Sequence, residues 1–196
     1  MPMEQIRTFV AIELDKSIKD GLADLQDQLK AKAPKGAVRW VRPEGIHLTL
    51  KFLGNVPVER IEGVIKALEE ACQGFSPFSL SVGGLGCFPN LKRPRVIWVG
   101  VEEPTGELAA LQAAIEKALV KLGFQPEERK FQPHLTLGRL KRQASRGQPQ
   151  RLGELIESMT IGEIGEMEAR IVSLMKSELK PTGAVYTRLA AVKLTG

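Results

Sequence analysis

The sequence predicts an α+β fold, a bilobed and pseudo-symmetric duplication in which two antiparallel-sheet lobes with flanking helices surround a central groove. Three observations carry this expectation. Hydrophobic residues make up 43% of the 196 positions, enough for one sizeable domain or two tightly joined lobes. Short β-rich runs alternate with stretches of helical periodicity. The tetrapeptide His-Leu-Thr-Leu occurs twice, at His47–Leu50 and His134–Leu137, 87 positions apart.

Each element follows from local pattern. Arg7–Leu14 alternates and is rich in β-formers, so it reads as the first strand. Ile18, Leu22, Leu25 and Leu29 recur at helical spacing between about Ser17 and Lys30, with Asp15 and Ser17 as candidate caps. Pro34 and Gly36 mark a loop before a strand at Val38–Val41. The first histidine segment, Ile46–Leu53, ends in a turn at Gly54, Asn55 and Pro57. A helix over Val58–Cys72 carries Ile61, Val64, Ile65 and Leu68 on one side. A strand at Phe78–Val82 runs into Gly83-Gly84-Leu85-Gly86, which lacks the spacing of a nucleotide loop and reads as a turn or bulge.

The second half restarts the pattern. Arg95–Val101 is a strand, and Leu108, Leu111, Ile115, Leu119 and Leu122 mark a helix. The second histidine segment, Pro133–Leu140, precedes a basic loop. Leu152, Leu155, Ile156 and Met159 give a short helix. Strands at Ala169–Lys176 and Ala184–Lys193 flank a turn at Pro181 and Gly183. The offset of 87 places Phe9 on Val96, Ile12 on Val99, Ile65 on Leu152 and Leu68 on Leu155. The first helices align only after a small length adjustment. Residues 1–196 are therefore expected to form a single bilobed domain.

Composition narrows the function classes. No run approaches the eighteen or so apolar residues of a membrane helix. The N-terminal MPMEQIRTFVAIEL reads as a first strand and not as a signal peptide. Two cysteines, Cys72 and Cys87, suit reduced thiols in a cytoplasmic protein. The net charge is +5, and its distribution says more. Lys30, Lys32, Lys35, Arg39 and Arg42 form one acid-free basic stretch; Arg129, Lys130, Arg139, Lys141, Arg142, Arg146 and Arg151 form another. Each adjoins or contains a histidine. Such local positive potential draws an anionic partner, although a solvated basic face has the same look.

The two histidines are the only ones in the chain. In a strand, residues two apart face one side, so His47 and Thr49 share a face while Leu48 and Leu50 point to the core. His134, Leu135, Thr136 and Leu137 repeat the arrangement. Histidine titrates near neutrality, so one imidazole can accept a proton while another donates one. Thr49 and Thr136 can hydrogen-bond nonbridging phosphate oxygens. The pair suits in-line hydrolysis of a phosphodiester without a metal. A metal site wants three or four converging ligands, and the only aspartates, Asp15, Asp20, Asp24 and Asp27, lie in the first helix region. A structural histidine pair is the competing reading.

The paired His-x-Thr-x motifs resemble those of the 2H phosphoesterase superfamily, in particular the RNA 2',3'-cyclic phosphodiesterases formerly called 2'-5' RNA ligases. Arg7–Ile12, Lys51-Phe52-Leu53-Gly54, Pro94–Gly100 and Gly138-Arg139 extend the likeness over nearly the whole chain. The resemblance implies motifs facing across a groove and no cofactor. It implies hydrolysis of RNA 2',3'-cyclic phosphate ends, tRNA fragments among them, to 2'-phosphates, with His47 as proton donor and His134 as proton acceptor. Reversible 2'-5' RNA joining is a secondary activity of some relatives, and a monomer is the favoured state.

Lys51, Arg139 and Phe88 are candidate substrate-binding residues. Continued alternation puts Lys51 on the polar face, touching phosphate or merely solvated. Arg139 suits phosphate or RNA contact, with surface charge as its alternative. Phe88, in an expected loop beside Pro89, is a candidate for base stacking. Trp98, in an apolar strand, is expected in the core. Two other functions stay open: a phosphodiesterase of small cyclic nucleotides or cyclic ADP-ribose phosphate, and a non-catalytic RNA-binding module.

Overall fold

The computed structural model describes residues 4–181 and 183–196. The first three residues of the expected N-terminal segment, and Thr182 in the expected last turn, lie outside them. The elements in order are β1 (Gln5–Glu13), α1 (Lys16–Lys32), β2 (Val38–Trp40), β3 (His47–Pro57), α2 (Ile61–Cys72), β4 (Phe78–Phe88), β5 (Val96–Glu102), α3 (Glu107–Lys121), β6 (His134–Leu140), α4 (Gln148–Ser158), β7 (Glu163–Ala169), β8 (Ile171–Lys180) and β9 (Gly183–Lys193). They build two antiparallel sheets, ordered β3-β1-β8-β9 and β2-β6-β5-β4-β7.

The two sequence halves interlock. The first sheet takes β1 and β3 from the first half and β8 and β9 from the second; the second sheet takes β2 and β4 from the first half. The helices cross as well. Ile18 of α1 packs against Gly165, and Ile164 lies against Gly21, so α1 rests on β7 of the second sheet. α3 packs on α2 and on β3 of the first sheet. Leu48, Leu50, Leu135 and Leu137 join Leu22, Leu29, Leu68, Leu111 and Leu152 in one apolar cluster. Each such buried side chain contributes about 1.5–3 kcal/mol, and this fixes the inward face of both histidine strands.

Three elements differ from expectation. β3 runs on through Gly54, Asn55 and Pro57, expected as a turn, because these residues stay paired with β1 as far as Gln5. β4 continues through the glycines, which form a bulge: the register with β5 shifts between Gly83 and Leu85. β7 is absent from the sequence expectation, because Glu163, Glu166 and Glu168 hide its alternation. It is an edge strand, where charge blunts pairing with other chains.

Candidate active site

The pairing of β1 with β3 and of β5 with β6 is the same to the residue. Glu13 stands opposite His47 and Ala11 opposite Thr49; Gly100 stands opposite His134 and Trp98 opposite Thr136. Each of these residues has its counterpart 87 positions on. Both strands then take a bulge at the same point. The register skips Leu50 between Thr49 and Lys51, and Leu137 between Thr136 and Gly138. An extra residue reverses the alternation beyond it.

That reversal corrects the expectation for Lys51. Its side chain turns to the buried side and is 3% exposed. Nζ binds both carboxylate oxygens of Glu116 at 2.8 Å and the Gln125 carbonyl at 2.9 Å. Lys51 therefore fastens β3 to α3 and is not offered to a substrate. The next residue, Phe52, is on the histidine face instead and 64% exposed. In β6 the same reversal carries Arg139, the counterpart of Phe52, onto the face of His134. Arg139 pairs directly with Arg39 of β2.

Each imidazole is tethered alike. His47 Nδ1–H donates to the Gly45 carbonyl at 2.7 Å and His134 Nδ1–H to the Gln132 carbonyl at 2.6 Å. A carbonyl only accepts, so Nδ1 carries the proton and Nε2 is the nitrogen left free of the tether. Neither Thr49 nor Thr136 spends its hydroxyl on another described residue.

A glutamine backs each bulge from the helix of the other half, buried in the case of Gln26 and half-buried in that of Gln112. Gln26 of α1 donates Nε2–H to the Leu137 carbonyl at 2.8 Å and the Val41 carbonyl at 2.7 Å. Gln112 of α3 reaches the Leu50 carbonyl at 3.3 Å.

The surroundings of the two rings differ. Phe9 stacks on His47 with centroids 4.5 Å apart, and Tyr186 meets it edge-on at 5.0 Å. Burial holds the His47 pKa below its ordinary 6.5, while the Gly45 carbonyl and the Glu13 carboxylate pull it back up. Glu13 is itself held by Ser173 and Arg188, both at 2.9 Å. Around His134, Phe88 is edge-on at 4.9 Å and Trp98 lies 6.4 Å away. Phe88 is the last residue of β4 and not in a loop. Trp98 is half-buried on the groove face, outside the apolar core where it was expected. Its ring covers Gly86, where a Cβ would come within 2.3 Å of it.

The two strands share one groove. β3 and β6 adjoin, and Arg139 acts across the gap on Tyr186, the residue that touches His47. Burial pushes the Tyr186 phenol upward in pKa against the opposing pull of Arg139 and Arg7. Sequence reading missed Phe9, Glu13, Phe52 and Tyr186. Glu13 and Phe9 carry a signal in hindsight, since they lie on the face of β1 that pairs with the motif; Tyr186 arrives from a distant strand and carries none. Among the described residues no three His, Cys, Asp or Glu side chains are grouped to hold a metal ion. Cys72 and Cys87 are buried and unpaired, and burial pushes the Cys72 thiol up to about 11. Among the described residues no helix is long and apolar enough to cross a membrane.

This doubled site matches a known pattern twice over. Residues 12–98 and 99–186 each match the family described as LigT-like phosphoesterase, so the second match begins at the counterpart of Ile12. The chain belongs to the LigT family of 2H phosphoesterases. It is 38% identical over 190 residues to the RNA 2',3'-cyclic phosphodiesterase of Methanothermobacter thermautotrophicus, covering 97% of this chain and all of that one. It is 33% identical over 195 residues to that of Aquifex aeolicus, covering 99% and 100%. A crystal structure of a Thermus thermophilus protein superposes with a TM-score of 0.79 at 28% identity, covering 96% of this chain and 98% of that one. E. coli LigT complexed with 3'-AMP gives 0.76 at 26%, covering 98% and 100%.

Proposed function

We propose that this LigT-family chain hydrolyses RNA ends bearing a 2',3'-cyclic phosphate to 2'-phosphomonoesters, by acid–base catalysis on two histidines with no cofactor. The observation that carries this reading is the matched pair of tethered imidazoles, each leaving Nε2 free on equivalent faces of strands that share a groove. His134 takes a proton from water as the water oxygen attacks phosphorus. The bond from phosphorus to the 3'-oxygen breaks, and His47 protonates that oxygen. Thr49 and Thr136 donate to the nonbridging oxygens, where charge is held in the transition state. Glu13 supports the donor role of His47: it favours the imidazolium there, whereas Gly100 stands opposite His134. A bound phosphate adds negative charge and favours that imidazolium further.

On this reading Arg139 binds the adjoining phosphate and Phe88 stacks on a base. With an RNA 5'-hydroxyl in place of water, the same opening joins two RNA ends 2'-5': His134 takes the hydroxyl proton as its oxygen bonds phosphorus, and His47 protonates the departing 3'-oxygen. Both histidines come from one chain, so a monomer is sufficient. The unpaired thiols and an RNA substrate, such as a tRNA fragment, suit a cytoplasmic setting.

The test is a short RNA with a 2',3'-cyclic end, incubated with the protein and excess chelator, followed by assignment of the terminal phosphate. A 2'-phosphate is expected. A 3'-phosphate would refute the direction of opening. Turnover of small cyclic nucleotides alone would favour the small-molecule alternative. RNA binding without turnover would leave only a binding module.

A further inference from the structure

The two acid-free basic stretches of the sequence, about a hundred residues apart, meet in space. β2 brings them together. Arg39 pairs with Arg139, Val38 pairs with Leu140, and the Lys141 N–H continues the ladder to the Ala37 carbonyl at 2.8 Å. Gln148, at the start of α4, donates to the Lys35 carbonyl at 3.4 Å. Arg151 lies one turn further along α4 and is exposed. Two open depressions, of about 590 and 350 Å³, adjoin here and share Lys35. Lys32 and Arg151 line the first with Glu154, which is the one acid present; Lys141 lines the second.

These cations are poor candidates for internal stabilisation. Like charges directly opposite each other in an antiparallel pair are destabilising, and Arg39 faces Arg139 in that way. Lys16, Lys30 and Lys66 each pair with a carboxylate on their own helix. Among the described residues, Lys32, Lys35, Arg39, Arg139, Lys141 and Arg151 have no such ion pair. Their row begins with Arg139 on the face of β6 that carries His134, five residues further along the strand, and leaves over the β2 edge. Residues two apart on a strand are about 7 Å apart, so Arg139 and Lys141 offer successive cations along the exit.

We propose that this edge is a track for the RNA strand behind its cyclic end, binding successive phosphates through Arg39, Arg139, Lys35, Lys141 and Arg151. The inference rests on the phosphodiesterase reading and adds the part of the substrate that the histidines do not touch. A polyanion anchored at one end in the groove selects RNA over other anionic partners, because only the strand being cleaved is continuous with the site.

The experiment compares kcat/KM for a 2',3'-cyclic mononucleotide with that for an RNA of about 12 nucleotides bearing the same cyclic end, a length within the usual span of single-strand sites. The wild-type protein is expected to favour the long substrate, and salt should shrink that preference as phosphate contacts are screened. Combining Lys35→Glu, Lys141→Glu and Arg151→Glu should cut the long-to-short ratio by about tenfold or more. A variant with the same charge change elsewhere, Lys66→Glu with Lys117→Glu and Lys121→Glu, should keep the wild-type ratio. The track is overturned if wild type shows no length preference, if the edge variant keeps the ratio, or if the control loses it equally. Turnover of neither substrate by folded wild type would overturn the phosphodiesterase reading itself and the track with it.

Discussion

The two histidine strands are alike in geometry and unlike in support. β3 and β6 share register, bulge and carbonyl tether. Behind the bulge of β3 lies a buried ion pair, Lys51 with Glu116. Behind the bulge of β6 lies Gly138, so close to Val38 and Trp40 that a Cβ would meet them at 2.8 and 3.0 Å. On the groove side both rings have aromatic neighbours, but His47 has Glu13 opposite, whereas His134 has Gly100 opposite and Arg139 on its own strand. Duplication supplies two equivalent nitrogens. Divergence around them is the basis of the proposed direction of the reaction and of the proposed RNA track on one side only.

The largest test of the likeness is removal of each ring. His47→Ala and His134→Ala should each lower kcat on a cyclic-ended RNA by about 10²–10⁴-fold, and the double variant should be little worse than either single, as for groups that act together. Steady-state rates on folded samples check this. A residual rate near wild type in one variant would make the pair chemically unequal.

Support should differ between the lobes in the opposite sense. Glu116→Ala strands a buried lysine and is expected to cost about 3–5 kcal/mol of stability. Gln26→Ala is expected to cost about 1–3 kcal/mol, because Val41 N–H still satisfies the Leu137 carbonyl. Denaturant unfolding ranks the two, and equal losses would erase the distinction.

The smallest effect concerns Glu13. Glu13→Gln withdraws one of the influences that raise the His47 pKa, so the pKa of that ring, followed by NMR titration, should fall further below 6.5. Its sign also bears on stability. A histidine whose folded pKa is depressed contributes stability above its unfolded value that is lost as pH falls through the folded pKa, so wild type should weaken on acidification below 6.5. An unchanged or raised His47 pKa in the variant would remove Glu13 from the account.

Much of this was legible in sequence. The period of two placed His47, Thr49, His134 and Thr136 on one kind of face and four leucines on the other, because buried leucine and exposed polar groups leave a strong alternating trace. The exchange of strands left none, since pairing partners are set by packing between distant elements. The bulges at Leu50 and Leu137 left none either. A bulge is one residue out of step, and it misplaced Lys51 and hid Phe52 at a stroke. Arg139 was singled out by resemblance, but strict alternation from His134 would have buried it. Trp98 read as core because an apolar strand can face a groove as well as an interior.

The most direct test of the central claim, that two equivalent histidines act in opposite senses, is the pH dependence of kcat/KM in wild type and in each single variant. Wild type should give a bell. With His47 gone, the residual rate, which then depends on a general base alone, should rise with pH. With His134 gone, it should fall as pH rises through the His47 pKa, which burial sets below 6.5 in the resting site. Opposite slopes in the two variants would reverse the roles, and a flat wild-type profile would contradict acid–base catalysis by the pair.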